Sequence, residues 1–337
     1  MLKPPLNILF FLLISFKNGD INMFKIINEK FGNIDSVKLI NHQHGIELQI
    51  INGFGAVINK FIVNNSPFSF ICGYQNYDEL INQHPFFSRS AKLFPFPNRL
   101  NLGRYSFDNQ NHQLPANFPW SDHAVHGLLY NQPFSITNSA ANEESASVTL
   151  QYQTSSLHPG FPFAFNLEVT FTVDITGKLA SSTTVSNLGD SAFPFGDAWH
   201  PYFSLGTDLA HCKLTMSPCS EVVHVDDLPN GEKQVFDCLS LGDSLASQSL
   251  NHCFEFDSTT TNQLAFTRSD SSAVLRYQQD ASYPFVQLYT PASEQSIAIE
   301  PMTCPADAFN NQIGLLTLEA NQSQTFTWQC QAIFQPQ

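Results

Sequence analysis

Charge is scarce in this chain. Only 13% of its 337 residues are Asp, Glu, Lys or Arg, roughly half the ~25% usual in soluble domains. Basic residues are scarcer still: 15 Lys and Arg against 29 Asp and Glu leave a net charge of −14. Nucleic-acid binding needs a basic face to neutralise phosphates, so this balance excludes that class of partner. No run of like charges marks an interaction tail. Several motifs are missing too. There is no G-x-G-x-x-G opening a helix, no Walker loop, no H-E-x-x-H and no G-x-S-x-G. Nucleotide cofactors, zincin chemistry and the common serine-hydrolase elbow therefore have no support, and no cofactor is expected.

Paired cysteines are also lacking. Cys72, Cys212, Cys219, Cys238, Cys253, Cys304 and Cys330 are odd in number, widely spaced and without a C-x-x-C. That is neither the disulfide framework of a small secreted domain nor a zinc spacing, and it favours a reducing compartment. No apolar run is long enough for a stable membrane span. Leu6 to Phe16 is apolar behind Lys3, but a span needs ~20 residues. Residues 1–22 read as a doubtful leader. Either translation starts at Met23, which places the protein in the cytoplasm, or the apolar piece is a signal or anchor and the protein is exported. No A-x-A-like cleavage site follows it.

What the chain has is apolar and aromatic material: 42% hydrophobic residues, including 31 Phe. That is enough for a large core and excludes disorder. The dominant pattern beyond Met23 has period two, which sends successive side chains to opposite faces of a strand. Ile46, Leu48 and Ile50 alternate with Glu47 and Gln49; Val148, Leu150 and Tyr152 alternate with Thr149 and Gln151. The clearest run sets Phe165, Leu167, Val169, Phe171 and Val173 against Asn166, Glu168, Thr170, Thr172 and Asp174. Phe326, Trp328 and Cys330 alternate with Thr325, Thr327 and Gln329. Turn clusters such as Asn187–Asp190 separate these runs. Only residues 77–84 suggest a short helix, with Pro85 expected to close it. Strands with one apolar face predict an all-β fold, a large antiparallel β-sandwich, spanning one domain from residue 23 to 337.

Four segments place polar residues in apolar, proline-rich surroundings. Phe94–Leu100 carries Arg99, a fork of donors suited to hydroxyls or a carboxylate, or a surface Arg lying over Phe. Asp122–Leu128 holds His123 and His126; residues three apart on a strand face opposite ways, which argues against joint metal ligation. Gly127 permits a close approach of another group. Phe193–Phe203 sets His200 among Trp199, Pro201 and Tyr202, where burial would lower its pKa from ~6.5. In Ile297–Asn310, Ile297 and Ile299 form one face, and Ala298 and Glu300 the other. Glu300 falls at the expected strand end before Pro301, a carboxylate in apolar company whose pKa is expected to rise. An Arg, two His and a Glu, with no nucleophile and no metal set, suit proton transfer in both directions. Glycoside hydrolysis would need a carboxyl partner for Glu300, and Asp197 and Asp307 are the candidates.

In this order, Asn98-Arg99, His126-Gly127, His200-Pro201-Tyr202-Phe203 and Glu300 to Asn310 resemble the aldose 1-epimerase (galactose mutarotase) family. Gly103–Leu114 resembles a strand pair of the same family, and the likeness runs from about Ile40 to the C-terminus. The resemblance implies a large antiparallel β-sandwich that interconverts the α and β anomers of free sugars such as glucose and galactose without a cofactor. Carried over by motif, Glu300 is the base on the C1 hydroxyl and His200 the acid at the ring oxygen. His126 bonds near that oxygen, while Asn98, Arg99 and Gln287 hold hydroxyls. Asn251 stands where many members have a hydroxyl-binding Asp, which leaves the preferred sugar open, and Ala306 adds a residue before Asp307. Two other readings stay open. One is a hexose-6-phosphate epimerase of the same fold, with Arg89, Lys92 and Arg104 supplying charge. The other is a sugar-binding or sensing module without turnover. The sequence is silent on oligomeric state.

Overall fold

A computed structural model describes residues 23–236, 244–247, 249–257, 261–293 and 295–336. The doubtful leader and Cys238 lie outside the described residues. Two large antiparallel sheets dominate. The outer sheet runs in the order Ser135–Ala141, Ser145–Thr154, Phe165–Asp174, Lys178–Asn187, Ser323–Phe334, Ala273–Gln279, Asn262–Arg268, Cys212–Met216. The site sheet runs Leu228–Val235, Cys219–Val225, Asn251–Phe256, Phe285–Tyr289, Ile297–Met302, Ala198–Trp199, Lys92–Leu93, and Tyr202–Phe203 also pairs with Ile297–Met302. A four-stranded sheet, Lys25–Phe31, Ile34–Asn41, Ile46–Ile51 and Val57–Ile62, completes the N-terminal side.

The period-two runs build the core. All five apolar residues of Phe165–Asp174 are fully buried and its polar residues are half-buried. They join Phe326 and Trp328 of Ser323–Phe334, two strands along the same sheet, and pack on Ile297, Ile299, Val286 and Leu288 of the site sheet. Trp199 bridges the layers: its ring centroid is 5.3 Å from that of Phe171, and its Nε1 donates to Thr183 Oγ1 at 3.2 Å. Each such apolar side chain stabilises the fold by about 1.5–3 kcal/mol relative to exposure. The opposite face of the site sheet meets a second apolar cluster, with Cys253, Phe285 and Met302 against Ile51, Val57, Tyr74 and Leu80.

Three expectations need correction. Gln49, expected on a solvent face, is buried, because Ile46–Ile51 is covered on both sides; it donates to Glu29 at 2.6 Å and accepts from Asn59 at 2.9 Å. Pro85 does not close the helix, which spans Tyr77–Phe87 and ends at Ser88 in the left-handed region. Asn76 caps its start by accepting from Glu79 N. In the last turn proline forfeits only one intrahelical donor; the C-cap closes that turn, Ser88 N donating to His84 O, and from outside the helix Trp120 Nε1 donates to Pro85 O. Glu300 is not at a strand end either, since Ile297–Met302 continues through Pro301. The flanking pairs Ala198–Met302 and Tyr202–Ala298 leave the ladder interrupted beside Pro301, so its missing N–H is not needed there. Among the described residues no helix is long and apolar enough to cross a membrane.

Candidate active site

That interruption creates the site. The register pairing Ala198 with Met302 and Tyr202 with Ala298 places His200 across from Glu300 on one side. On the other side Gln287 is the direct cross-strand partner of Glu300. Opposite residues on one face of a sheet are neighbours, so three polar side chains converge. His200 Nε2 lies 3.5 Å from Glu300 Oε1. The His200 ring stacks on Tyr202 at 5.0 Å and meets the His126 ring edge-on at 5.1 Å.

Main-chain bonds lock the four motif segments together. His126 N donates to Asn98 O at 2.8 Å, and both residues have left-handed backbones, with φ of 58° and 51°. Such φ values are uncommon for residues with a Cβ and concentrate where the surrounding structure imposes them. Gly127 is required: a Cβ there would lie 2.3 Å from the Phe94 carbonyl oxygen. The approaching group is thus backbone. Leu128 N donates to Phe94 O, Asp307 N to Arg99 O, and Thr303 N to Asp197 O. The 88–91 loop grips His200 from behind, Ser90 N donating to its carbonyl at 2.7 Å while His200 N donates to Ala91 O.

These groups open on a cavity of about 370 Å³. Asn98, Arg99, His126, His200, Gln287 and Glu300 line it, with Asn251 at the rim. Its walls are aromatic: Phe86, Phe87, Trp120, Tyr202 and Tyr289. All seven site residues foreseen from the motifs therefore meet in one place. The aromatic wall from outside the motifs was missed; a Trp in the proline-flanked stretch before His126 was the available signal. Trp120 is 42% exposed, and Arg99 Cζ lies 5.5 Å from its ring centroid. Gln287 Nε2 donates to Asn251 Oδ1 at 3.0 Å, which ties the variant position to the cavity floor.

Burial sets the protonation states. Glu300 is 3% exposed, and desolvation pushes its pKa well above the usual carboxylate range. Desolvation lowers His200 to about 3. It also drives His126 well down, helped by His200 and Arg99 nearby. Burial thus favours the uncharged form of the carboxyl and of both imidazoles. His126 Nδ1 and Gln287 Oε1 are buried there without a hydrogen-bond partner, a cost that native interiors tolerate at few places.

Other sequence candidates fall elsewhere. His123 Nδ1 accepts from Leu102 N at 2.9 Å and does not line the cavity. Asp307 is occupied away from the cavity, accepting from Asn310 Nδ2 of its own turn and from Asn101 N of the segment after Arg99. Asp197 is fully buried against Lys92 at 2.6 Å. Neither carboxylate reaches the cavity, so the partner that glycoside hydrolysis needs is missing among its described lining residues. The basic cluster invoked for a phosphate is dispersed as well. Lys92 is paired inside the fold, Arg89 is bound to Glu79 at 3.0 Å, and Arg104 Nε donates to Gln113. Among the described residues no three His, Cys, Asp or Glu side chains cluster to hold a metal ion.

An antiparallel β fold with an aromatic-walled cavity of about 370 Å³ around a Glu–His pair defines a class. A model of the aldose 1-epimerase family matches residues 35–331, and the chain belongs to that family. Among its relatives, the uncharacterized protein YihR of Escherichia coli K12 is 31% identical over 240 residues, covering 68% of this chain and 74% of that one. The fold is that of a galactose mutarotase-like protein from Clostridium acetobutylicum, with a TM-score of 0.80, 17% identity and coverage of 93% of this chain and 99% of that one. It is likewise that of a galactose 1-epimerase from Lactobacillus acidophilus NCFM, with a TM-score of 0.76, 16% identity and coverage of 93% and 99%.

Proposed function

We propose that the protein interconverts the α and β anomers of a free aldohexose such as glucose or galactose. The observation that carries this reading is the pair His200–Glu300, 3.5 Å apart on the floor of the cavity. Ring opening needs one proton taken from O1 and one delivered to O5, and a pair holding a single exchangeable proton does both. A bound sugar presents hydroxyls to Glu300, and hydrogen bonds to the charged form lower a carboxylate's pKa. The proton then resides on His200. Glu300 takes the O1 proton as His200 protonates O5, the C1–O5 bond breaks, and C1 becomes an aldehyde. Rotation about C1–C2 presents its other face. In reclosure O5 attacks C1, Glu300 returns its proton to O1, and His200 recovers its own. Each placed acid or base contributes typically ~10²–10⁴-fold.

His126 bonds near the ring oxygen and keeps the acid oriented. Asn98, Arg99, Gln287 and Asn251 bind hydroxyls, and the aromatic walls pack on the sugar's C–H faces. Polarimetry on freshly dissolved α-glucose or α-galactose tests the reading: added protein should speed the relaxation. No acceleration with any common aldose would overturn it. Calorimetric sugar binding without anomer exchange by NMR would replace it with a sugar-binding module.

A further inference from the structure

The cavity's charge is set from outside it. Among the described residues lining the cavity, Arg99 is the one Lys or Arg. Its Nη2 lies 3.1 Å from Asp227 Oδ2, and its Nη1 donates to Asn98 Oδ1 at 2.9 Å. Asp227 belongs to neither the cavity lining nor the four motif segments. It occupies the tip of the hairpin joining Cys219–Val225 to Leu228–Val235, where Asp226 and Asp227 both have left-handed backbones, with φ of 51° and 67°. The arginine side chain is 17% exposed and the aspartate 58%. The hairpin thus reaches over to a half-buried guanidinium at the cavity wall.

We propose that Asp227 is a specificity-determining residue: by pairing with Arg99 it cancels the charge of the cavity's cation and selects uncharged sugars over phosphorylated or acidic ones. The inference rests on the sugar-binding reading above and deepens it by naming the substrate class. A guanidinium has five N–H donors, and hydroxyls can use those that Asn98 and Asp227 leave. An anionic substituent gains most from a charge-assisted, bidentate contact with that same guanidinium. To make it, the anion must displace the aspartate or sit beside it, and like charges in contact are penalised. At physiological ionic strength the screening length is about 8 Å, so a carboxylate 3.1 Å away still acts on whatever approaches Arg99.

The test compares glucose with glucose 6-phosphate and glucuronate in the wild type, Asp227→Asn and Asp226→Asn. Mutarotation gives a kcat/KM ratio of charged to neutral sugar, and calorimetry on the same samples gives the Kd ratio. Asp227→Asn should raise both ratios about tenfold, the scale of one charge-assisted contact. Asp226→Asn removes the same net charge from the same turn without touching Arg99, and should leave both ratios unchanged. Unaltered ratios in Asp227→Asn, or an equal rise in Asp226→Asn, would overturn the proposal. A wild type that turns over no aldose would refute the epimerase reading alone, because the Kd ratios still judge Asp227.

Discussion

Two clusters of titratable side chains are buried side by side in this protein, and they are built on opposite rules. Lys92 and Asp197 are fully buried with 2.6 Å between Nζ and Oδ1. Tyr283 donates to the other carboxylate oxygen at 2.6 Å, Lys92 donates to Ala198 O, and its Nζ lies 4.7 Å from the Trp199 ring centroid. Burial lowers Lys92 to about 8 and raises Asp197, while the contact between them opposes both shifts. Only three residues further along the chain, His200 begins the second cluster. There the nearest opposite group is 3.5 Å away, and a His126 nitrogen and a Gln287 oxygen have no partner. The first cluster has its polar needs met from within. The second leaves them for something that enters the cavity, and buried groups with strongly shifted pKa values in a cleft are the physical mark of chemistry.

The difference predicts opposite responses to mutation. The largest effect belongs to the closed cluster. Asp197→Ala strands a buried ammonium, and breaking such a pair costs about 3–5 kcal/mol. Denaturant unfolding should show that loss, and Lys92→Met combined with Asp197→Leu should recover most of it. A single variant as stable as the wild type would mean the pair contributes nothing as a unit.

Next comes Glu300→Gln. It should lower kcat by at least ~10²-fold, as should His200→Asn, with the double variant losing far less than the product of the two. Stability should move the other way. A carboxyl whose folded pKa lies above its unfolded value of ~4.3 makes the folded state bind the extra proton, so stability falls as pH rises through that window. Gln has no proton to lose, so the variant's Tm at pH 8 should equal or exceed the wild type's. The pH–rate profile should be bell-shaped. Activity rises as the pair sheds a second proton, on a limb far below 6.5 because His200 is lowered to about 3. It falls as the last proton leaves, on a limb well above 4.5 because Glu300 is raised. Both limbs belong to the pair rather than to either residue. Full mutarotation in Glu300→Gln would remove the base assignment.

A smaller effect is expected on the wall. Trp120→Ala removes an exposed indole that Arg99 overlies, and a lost aromatic contact is worth about 0.5–1.5 kcal/mol. KM should rise about three- to tenfold with kcat little changed. A fall in kcat with KM unchanged would mean that the indole acts only in the transition state.

The legible and illegible parts of this structure divide on sequence distance. Phe165–Asp174 could be read because alternation and burial share one period within one strand. Gln49 could not, because its burial depends on what covers the far face of its sheet. Ordered motifs brought all seven site residues into one cavity, yet the reason for their convergence is a ladder register between segments a hundred residues apart. Nothing local announces that register. Asp197 and Asp307 were equally good carboxylates on paper; only tertiary partners show that both are spoken for. Pro85 failed as a helix stop for the same reason: Trp120, thirty-five residues away, holds the turn from outside the helix.

The smallest effect asks whether the open cluster depends on a closed one behind it. His84 Nε2 lies 2.9 Å from the Tyr130 carbonyl and therefore carries the proton, so Nδ1 accepts from Tyr74 OH at 2.8 Å. Burial holds His84 at about 4 and raises Tyr74, which keeps both neutral through the physiological range. Tyr74 Oη in turn accepts from Arg89 N at 3.0 Å, and the next residue, Ser90, donates to the His200 carbonyl. This chain of bonds fixes where the acid's backbone sits. Tyr74→Phe deletes its central hydroxyl, at a stability cost of about 1 kcal/mol for one net hydrogen bond. If the chain positions His200, kcat should drop about threefold while KM holds, because the hydroxyl-binding residues are untouched and proton transfer depends steeply on geometry. If instead Tm falls and kcat is unchanged, the Tyr74–His84 pair serves the fold alone, and the open cluster holds its geometry without help from behind.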